Sequence, residues 1–236
     1  MKTYTKNQQY ILKAKQTATF MLDMDYEIDE AYPWFVRHPF FNSVALVDST
    51  GLFNITEEPQ RYKLYKEELR KRIYASTSIE EVMLYMLRPN YINFLYLLNL
   101  HGIPDNLCGN ILGDVWTTLE NNDTQTAEMK KYMLCWLKAS RRAAYLSKSD
   151  LDMLQTLPDV VTIYRGAQYN EPPKGFCWSV SYEVAEWFAK RFSNRNPVVY
   201  TATVPKSAVL FYTNAVNEQE VVVDYTKLKN ITQNSV

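Results

Sequence analysis

Three short polar elements in the last third of the chain carry residue types that could do chemistry together. In chain order they are Tyr164-Arg165-Gly166, Ser179-Val180-Ser181 and Glu218-Gln219-Glu220. An arginine presents a planar fork of donors that matches phosphate oxygens, and a glycine beside it allows close approach to the backbone. A rigidly held carboxylate can bind a sugar hydroxyl and stabilise positive charge in a transition state. The combination would suit a site that binds a phosphate-bearing ligand beside a fixed carboxylate.

The two acids of the third element have different expected settings. Glu220 is followed by Val221–Val223, which predicts a buried strand that holds its carboxylate rigidly. Glu218 would lie on the same face if that strand began two residues earlier. Two carboxylates in one site repel each other, so we expect the pKa of one of them to be raised. Such paired acids suit two different chemical roles.

The elements that must position these residues are short strands. After Pro158 the chain is rich in Val, Thr, Tyr and Phe, which favour half-buried strands. The strand-like segments are VVTIYRG, GFCWSVS, PVVYTATV, AVLFYT and QEVVVDY. One helix is predicted between them, with Ser181 as its N-cap and Glu183 in its first turn. This part is therefore expected to be α+β.

The preceding part has helical periodicity. Residues 60 to about 156 place apolar side chains three and four residues apart. Ser78 and Glu81 form a possible capping box, and Ser147 is a possible N-cap ahead of an acidic turn. Without a repeat or a Gly/Ser linker, the boundary is placed where the periodicity changes. We predict a mostly helical region at 1–157 and a second domain at 158–236.

Composition excludes little. The 236 residues carry no formal net charge, so the overall balance indicates neither a nucleic-acid partner nor an acidic membrane. Cys108, Cys135 and Cys177 are widely spaced and are expected to be reduced. The first residues lack a continuous apolar secretory segment, and no apolar run reaches the roughly 20 residues of a membrane span. A cytoplasmic protein without membrane contact is expected.

Taken together, the three elements resemble the R-S-E class of mono-ADP-ribosyltransferases. This class includes arginine-modifying bacterial toxins, vertebrate ecto-enzymes and phage-encoded enzymes, and the resemblance covers about residues 159–226. It implies that 158–236 is an ADP-ribosyltransferase-like β-sandwich with one or more helices. The implied activity moves ADP-ribose from NAD to an acceptor and releases nicotinamide, without a metal. NAD is then a substrate with an oxocarbenium-like transition state.

The resemblance assigns several residues to NAD binding. Arg165 would support NAD, with Tyr164 and Gly166 beside it. Arg191, Phe192 and Arg195 fall where members of the class carry a loop over the nicotinamide and the phosphates. The same stretch also suits a solvated basic helix end.

Catalysis is assigned to Arg165 and to the other two elements. Ser179 would hydrogen-bond both the catalytic glutamate and the nicotinamide ribose, and Ser181 would contact NAD and cap the following helix. Glu220 is the catalytic glutamate. Glu218 would help receive the nucleophile, because E-x-E in this class is associated with arginine acceptors. The turn at 211–217 would recognise the acceptor, although it departs from the class pattern because 213–219 contain no aromatic residue.

Several alternatives remain open at this stage. His38 and His101 both precede the β-rich part, which disfavours a Ser-His hydrolase, and no Gly-rich phosphate loop is present. With the same fold, the protein could be an NAD glycohydrolase, a transferase acting on nucleic acid, or an inactive inhibitor. The helical region could bind a protein target or an antitoxin. A toxin, a phage-encoded modifier and a defence protein all fit the sequence.

Overall fold

The computed structural model of the chain describes residues 5–119, 125–168, 173–191 and 196–236. The chain divides into two compact units, Met1–Pro104 and Asp105–Val236. Both units combine helices with antiparallel strands. The α+β class predicted from the sequence is therefore confirmed.

The first unit is mainly helical. Its elements are α1 (Lys6–Leu22), β1 (Glu27–Ile28), β2 (Val36–Arg37), β3 (Ala45–Asp48), β4 (Gly51–Asn54), α2 (Pro59–Ala75), α3 (Ile79–Met83) and α4 (Tyr91–Leu100). Thr5 caps α1 in a reciprocal capping box with Gln8. Ser78 caps α3 as predicted, because its side chain accepts a hydrogen bond from the Glu81 N–H. The two small hairpins of this unit, β1–β2 and β3–β4, were not predicted.

The second unit contains the three polar elements. It consists of α5 (Asp105–Val115), α6 (Ala127–Ala139), α7 (Lys148–Thr156), β5 (Val160–Gln168), β6 (Cys177–Ser179), α8 (Tyr182–Lys190), β7 (Pro197–Pro205), β8 (Val209–Thr213), β9 (Glu220–Val223) and β10 (Lys229–Ser235). Each predicted strand segment contains one of β5 to β9. Ser147 caps α7 and Ser181 caps α8, as expected.

The six strands of this unit form one antiparallel sheet in the order β10-β7-β5-β6-β9-β8. Strands β5 and β7 pair along the whole of both strands. By contrast, β5 and β6 pair at a single position, Tyr164 with Ser179. The sheet is therefore held least firmly at the junction between β5 and β6.

Helices cover the sheet on both faces. On one face Leu154 of α7 and the following Leu157 belong to the same buried cluster as Ile163 and Val221. On the other face Ala185 and Ala189 of α8 pack with Val199. Helix α8 turns its two alanines toward the sheet because small side chains allow a close helix-to-strand approach.

The division between the two compact units lies at 104/105, whereas the sequence periodicity changes at 157/158. The strands of the six-stranded sheet follow the second of these positions, but the core that packs against them includes residues from earlier in the chain. Leu154 is buried with the sheet, and the Trp116 ring packs edge-on against Phe211 of β8 at a centroid distance of 5.5 Å. Periodicity detects the type of an element and does not detect which elements share a core.

Gly166 lies where α8 crosses β5. A Cβ atom at this position would be 2.0 Å from the Ala185 carbonyl oxygen and 2.5 Å from the Ala189 nitrogen, and both atoms belong to helix backbone. Close packing of α8 by itself thus requires a glycine here. The predicted contact of Gly166 with NAD stays a prediction.

Gly166→Ala is expected to lower the free energy of unfolding by about 3 kcal/mol, because a backbone clash cannot be relieved by a rotamer change. Urea denaturation followed by circular dichroism measures the loss. Thr162→Ala, at an exposed position of the same strand, is the matched control and should change stability by less than about 1 kcal/mol. Equal stabilities of the two variants would contradict the packing role.

Candidate functional site

The sheet brings the three polar elements onto three adjacent strands. Tyr164 of β5 is the register partner of Ser179 of β6, and Ser179 is the partner of Glu220 of β9. Directly opposed residues of antiparallel strands project to the same face with their Cβ atoms about 5 Å apart. Tyr164, Ser179 and Glu220 therefore form one row across the sheet, which we call the site row.

Arg165 follows Tyr164 and bridges the junction between β5 and β6. Its Nη1 donates a hydrogen bond to the Cys177 carbonyl at 3.0 Å. Successive side chains of a strand leave on opposite faces, so Arg165 starts from the face opposite to the site row. The single β5–β6 pair leaves this carbonyl open to a side-chain donor. The guanidinium is half-buried and is held at this junction by its bond to β6.

Ser179 connects the site row to the loop before β9 and to the start of α8. Its buried hydroxyl donates to the Glu218 carbonyl at 2.9 Å, with the Gln219 carbonyl at 3.3 Å. The same oxygen accepts a hydrogen bond from the Ser181 N–H at 3.0 Å. The sequence predicted a bond from this hydroxyl to the carboxylate of the catalytic glutamate, and the observed bonds reach the backbone of the preceding loop instead.

Ser181 has the capping role expected of it. Its Oγ accepts from the Val184 N–H at 3.3 Å and donates to the Glu183 carboxylate at 2.8 Å. The Glu183 carboxylate accepts hydrogen bonds from the Glu183 backbone N–H and from the Ser181 hydroxyl, and both lower the pKa of this carboxyl. Both interactions stabilise the first turn of α8. Contact of Ser181 with NAD stays a prediction.

Glu220 is buried at the first position of β9, a strand in which every residue is buried. Its Oε1 accepts a hydrogen bond from the indole Nε1–H of Trp116 at 3.1 Å. Trp116 lies in the region predicted to be helical, and no role was predicted for it. The sequence contains only a weak signal for this hydrogen bond. A buried tryptophan generally needs an acceptor, but the sequence does not show which residue supplies it.

Aromatic rings fix the orientation of the Trp116 indole. Phe176, just before β6, and Phe211 of β8 both meet it edge-on, with centroid distances of 6.0 and 5.5 Å. Tyr145 contacts the same Phe211 ring at 5.6 Å. Trp116 is only 1% exposed. Its N–H therefore points at Glu220 from a tightly packed position.

Glu218 does not lie on a strand. β9 begins at Glu220, and Asn217 and Gln219 on either side of Glu218 have positive φ angles of 61° and 47°. The strand alternation that was to place both acids on one face therefore does not apply. Burial raises the pKa of the Glu218 carboxyl, and the positive charge of Arg191 acts in the opposite direction. The pKa of one of the two acids is raised, as predicted, and the cause is burial.

The predicted recognition turn is only partly exposed. Phe211 and Tyr212 are buried in β8, and burial raises the pKa of the Tyr212 hydroxyl. The exposed part is 214–217. Asn214 organises this loop, because its side-chain oxygen accepts from the Gln219 N–H at 3.0 Å and its carbonyl accepts from the Asn217 N–H.

Arg191 ends α8 near this loop. Its guanidinium lies over the Trp187 ring at 5.2 Å and near the Phe188 ring at 5.7 Å. Trp187 is 57% exposed, so the pair forms an accessible surface. The neighbouring Phe192 and Arg195, predicted to contact NAD, lie outside the described residues.

Two cavities lie away from the site row. One of about 430 Å³ is lined by residues at the start of β7 and the end of β10. The other, of about 560 Å³, lies in the first unit between α1 and α4. Neither is lined by Arg165, Ser179 or Glu220. The candidate site is therefore defined by the site row, and neither of these two cavities is part of it.

Metal ligands and membrane spans were also sought. Among the residues that the structure describes, no group of three or more His, Cys, Asp or Glu side chains is arranged to hold a metal ion. Within the same parts of the chain, each helix is too short or too polar to cross a bilayer.

Comparison with known proteins leaves the assignment to the site itself. No protein-family model matches the chain, and neither a curated protein nor a solved structure matches it. Any function must therefore be argued from the residues and their geometry.

Proposed function

We propose that the chain is a mono-ADP-ribosyltransferase that uses NAD and releases nicotinamide. One observation carries the proposal: the three motif elements, far apart in sequence, lie on adjacent strands with Ser179 between Tyr164 and Glu220. Arg165 leaves β5 on the opposite face and is tied to β6 by its bond to the Cys177 carbonyl. Short motifs that occurred by chance would have no reason to meet in one row.

The residue types fit NAD as a substrate. Arg165 presents a cationic fork suited to the pyrophosphate, and a hydrogen bond to a backbone carbonyl orients this fork. Glu220 provides a buried carboxylate for a ribose hydroxyl. Burial strengthens the interaction of this carboxylate with positive charge on the ribose.

The proposed reaction needs no reagent besides NAD and the acceptor. The bond between the nicotinamide nitrogen and the ribose carbon breaks, and its electron pair leaves with nicotinamide. The acceptor nucleophile then forms a bond to the same carbon and passes its proton to the Glu218 carboxylate. In this proposal Glu220 stabilises the positive charge of the ribose, and Glu218 assists the nucleophile by taking that proton.

The sheet also supports a finer architectural proposal. We infer that 158–236 folds as an ADP-ribosyltransferase-like sandwich, in which the sheet divides at the single β5–β6 pair. Strands β10, β7 and β5 would form one half, and β6, β9 and β8 the other. The guanidinium of Arg165 would then lie at the division.

The preferred acceptor is an arginine side chain of a protein. This preference rests on Glu218, which precedes the catalytic acid by two residues and lies in a partly exposed loop. The pKa of its carboxyl is raised by burial, so this group is better suited than an ordinary glutamate to take a proton near neutral pH.

The direct test uses NAD labelled in its ADP-ribose portion. The protein is incubated with this NAD and cell extract, and the label is measured in protein, in nucleic acid and as free ADP-ribose. We expect label on protein. Label on RNA or DNA would establish a nucleobase acceptor, free ADP-ribose alone would establish a glycohydrolase, and uncleaved NAD would overturn the proposal.

Glu218→Gln is expected to lower transfer to protein by about 10²-fold while slow hydrolysis of NAD continues, because cleavage depends on Glu220 and acceptor activation on Glu218. The labelled assay measures both rates. Asp152→Asn, an exposed acid on α7, is the control and should leave both rates unchanged. Normal transfer by Glu218→Gln would show that the acceptor role of Glu218 is wrong.

A further inference from the structure

We propose that Trp116 is a positioning residue for Glu220, and that helices α5 and α6 act as a scaffold for the strand that carries the catalytic carboxylate. This inference rests on the proposed function. Trp116 begins a 3-10 turn after α5 and lies outside the region of resemblance. Its Nε1–H donates to Glu220 Oε1 across 104 residues of sequence.

The chemistry of the donor matters. A lysine or arginine at this distance would neutralise the carboxylate, whereas an indole N–H is neutral and leaves the negative charge in place. A carboxylate that must stabilise a cationic ribose needs its orientation fixed without losing that charge. Trp116 meets both requirements.

Burial supports a role beyond packing. Trp116 is 1% exposed and Glu220 is 9% exposed. Placing a carboxylate in a low-dielectric interior is costly unless hydrogen bonds compensate. A tryptophan that only filled the core would be satisfied equally well by a backbone carbonyl. The pairing with a buried acid is explained if the orientation of that acid matters.

The other end of β9 is held by α6. Lys138 of α6 contacts the buried Asp224 carboxylate at 2.6 Å, immediately after β9. Burial alone would raise the pKa of Asp224, but hydrogen bonds from Lys138 and Thr226 outweigh it and keep this pKa below its ordinary value. Trp116 and Lys138 thus hold the two ends of the strand that begins with Glu220.

A matched pair of tryptophan variants tests the role. Trp116→Phe keeps a ring but removes the N–H. Trp136→Phe removes an equally buried indole of α6 whose Nε1 has no hydrogen-bond partner among the described residues. In the full chain we expect Trp116→Phe to lower kcat for NAD cleavage by about 10- to 100-fold with little change in KM. Trp136→Phe should retain kcat.

The pH dependence gives a second readout. A hydrogen bond to a carboxylate favours its charged form. The acid limb of the kcat profile of Trp116→Phe should therefore move to higher pH, whereas a loss of packing alone would lower kcat equally at every pH. A profile parallel to that of the wild type would overturn the positioning role.

Nuclear magnetic resonance separates this inference from the proposed function. The chain has five tryptophans, and the indole N–H signal that disappears in Trp116→Phe should shift in Glu220→Gln, because an amide oxygen is a weaker acceptor than a carboxylate. An unshifted signal, or equal kcat values for the two tryptophan variants, would overturn the inference. A shifted signal in a protein that never cleaves NAD would support the contact and overturn the proposed function.

Discussion

Glu220→Gln is expected to lower the rate of ADP-ribose transfer by about 10³-fold, the cost of removing one group that stabilises charge in a transition state. The amide has the shape of the carboxylate but lacks its charge. The amide oxygen can still accept a hydrogen bond from the Trp116 indole, which in the wild-type protein donates to Glu220 Oε1 at 3.1 Å. The loss should therefore fall on kcat, with NAD binding and folding retained.

The measurement is the initial rate of label transfer from NAD to protein, with urea denaturation as a check on folding. Glu128→Gln replaces an exposed acid in the first turn of α6 and is the control. It should retain the wild-type rate. If Glu220→Gln kept more than a tenth of the wild-type rate, Glu220 could not be the catalytic carboxylate.

A fragment of residues 158–236 is expected not to fold, whereas 105–236 should unfold cooperatively. The shorter fragment lacks Trp116, Leu154 and Leu157, all of which are buried in the second unit. Deleting the side chain of one buried tryptophan or leucine typically costs about 2 to 5 kcal/mol. Three such losses sum to about 6 to 15 kcal/mol, which is comparable to the roughly 5 to 15 kcal/mol that stabilises a whole domain.

Two polar contacts add to this expectation. Arg142 donates to the Val209 carbonyl on the edge strand β8 at 2.9 Å, and Lys138 pairs with Asp224. The shorter fragment would lose both partners. Circular dichroism and urea titration of the two fragments measure the outcome, and a cooperative transition in 158–236 would show that the sheet does not need the helices.

Sequence reasoning worked best where local geometry decides the outcome. Ser147 and Ser181 were recognised as N-caps because a side-chain oxygen beside a helix start satisfies an otherwise unpaired N–H. The β-rich segments were found for a similar reason, since β-branched and aromatic residues suit a pleated backbone. The hairpins at 27–54 were missed because their strands are only two to four residues long.

The same reasoning failed where an environment depends on distant residues. Glu218 was expected to titrate against Glu220 on one strand, yet the strand starts at Glu220 and burial raises the pKa of Glu218. The contact of Gly166 with NAD stays a prediction, but the close packing of α8 that also requires a glycine there was not foreseen. Both environments are created by elements that meet only after folding.

By itself, the sequence determined which segments become helices or strands and where α8 begins, because backbone sterics and side-chain period act over a few residues. Only the tertiary structure decided that β5, β6 and β9 are neighbours, that Ser179 stands between Tyr164 and Glu220, and that Trp116 bonds the carboxylate. Strand order and buried partners are chosen by the packing of one common core, and that choice has no local signature in the chain.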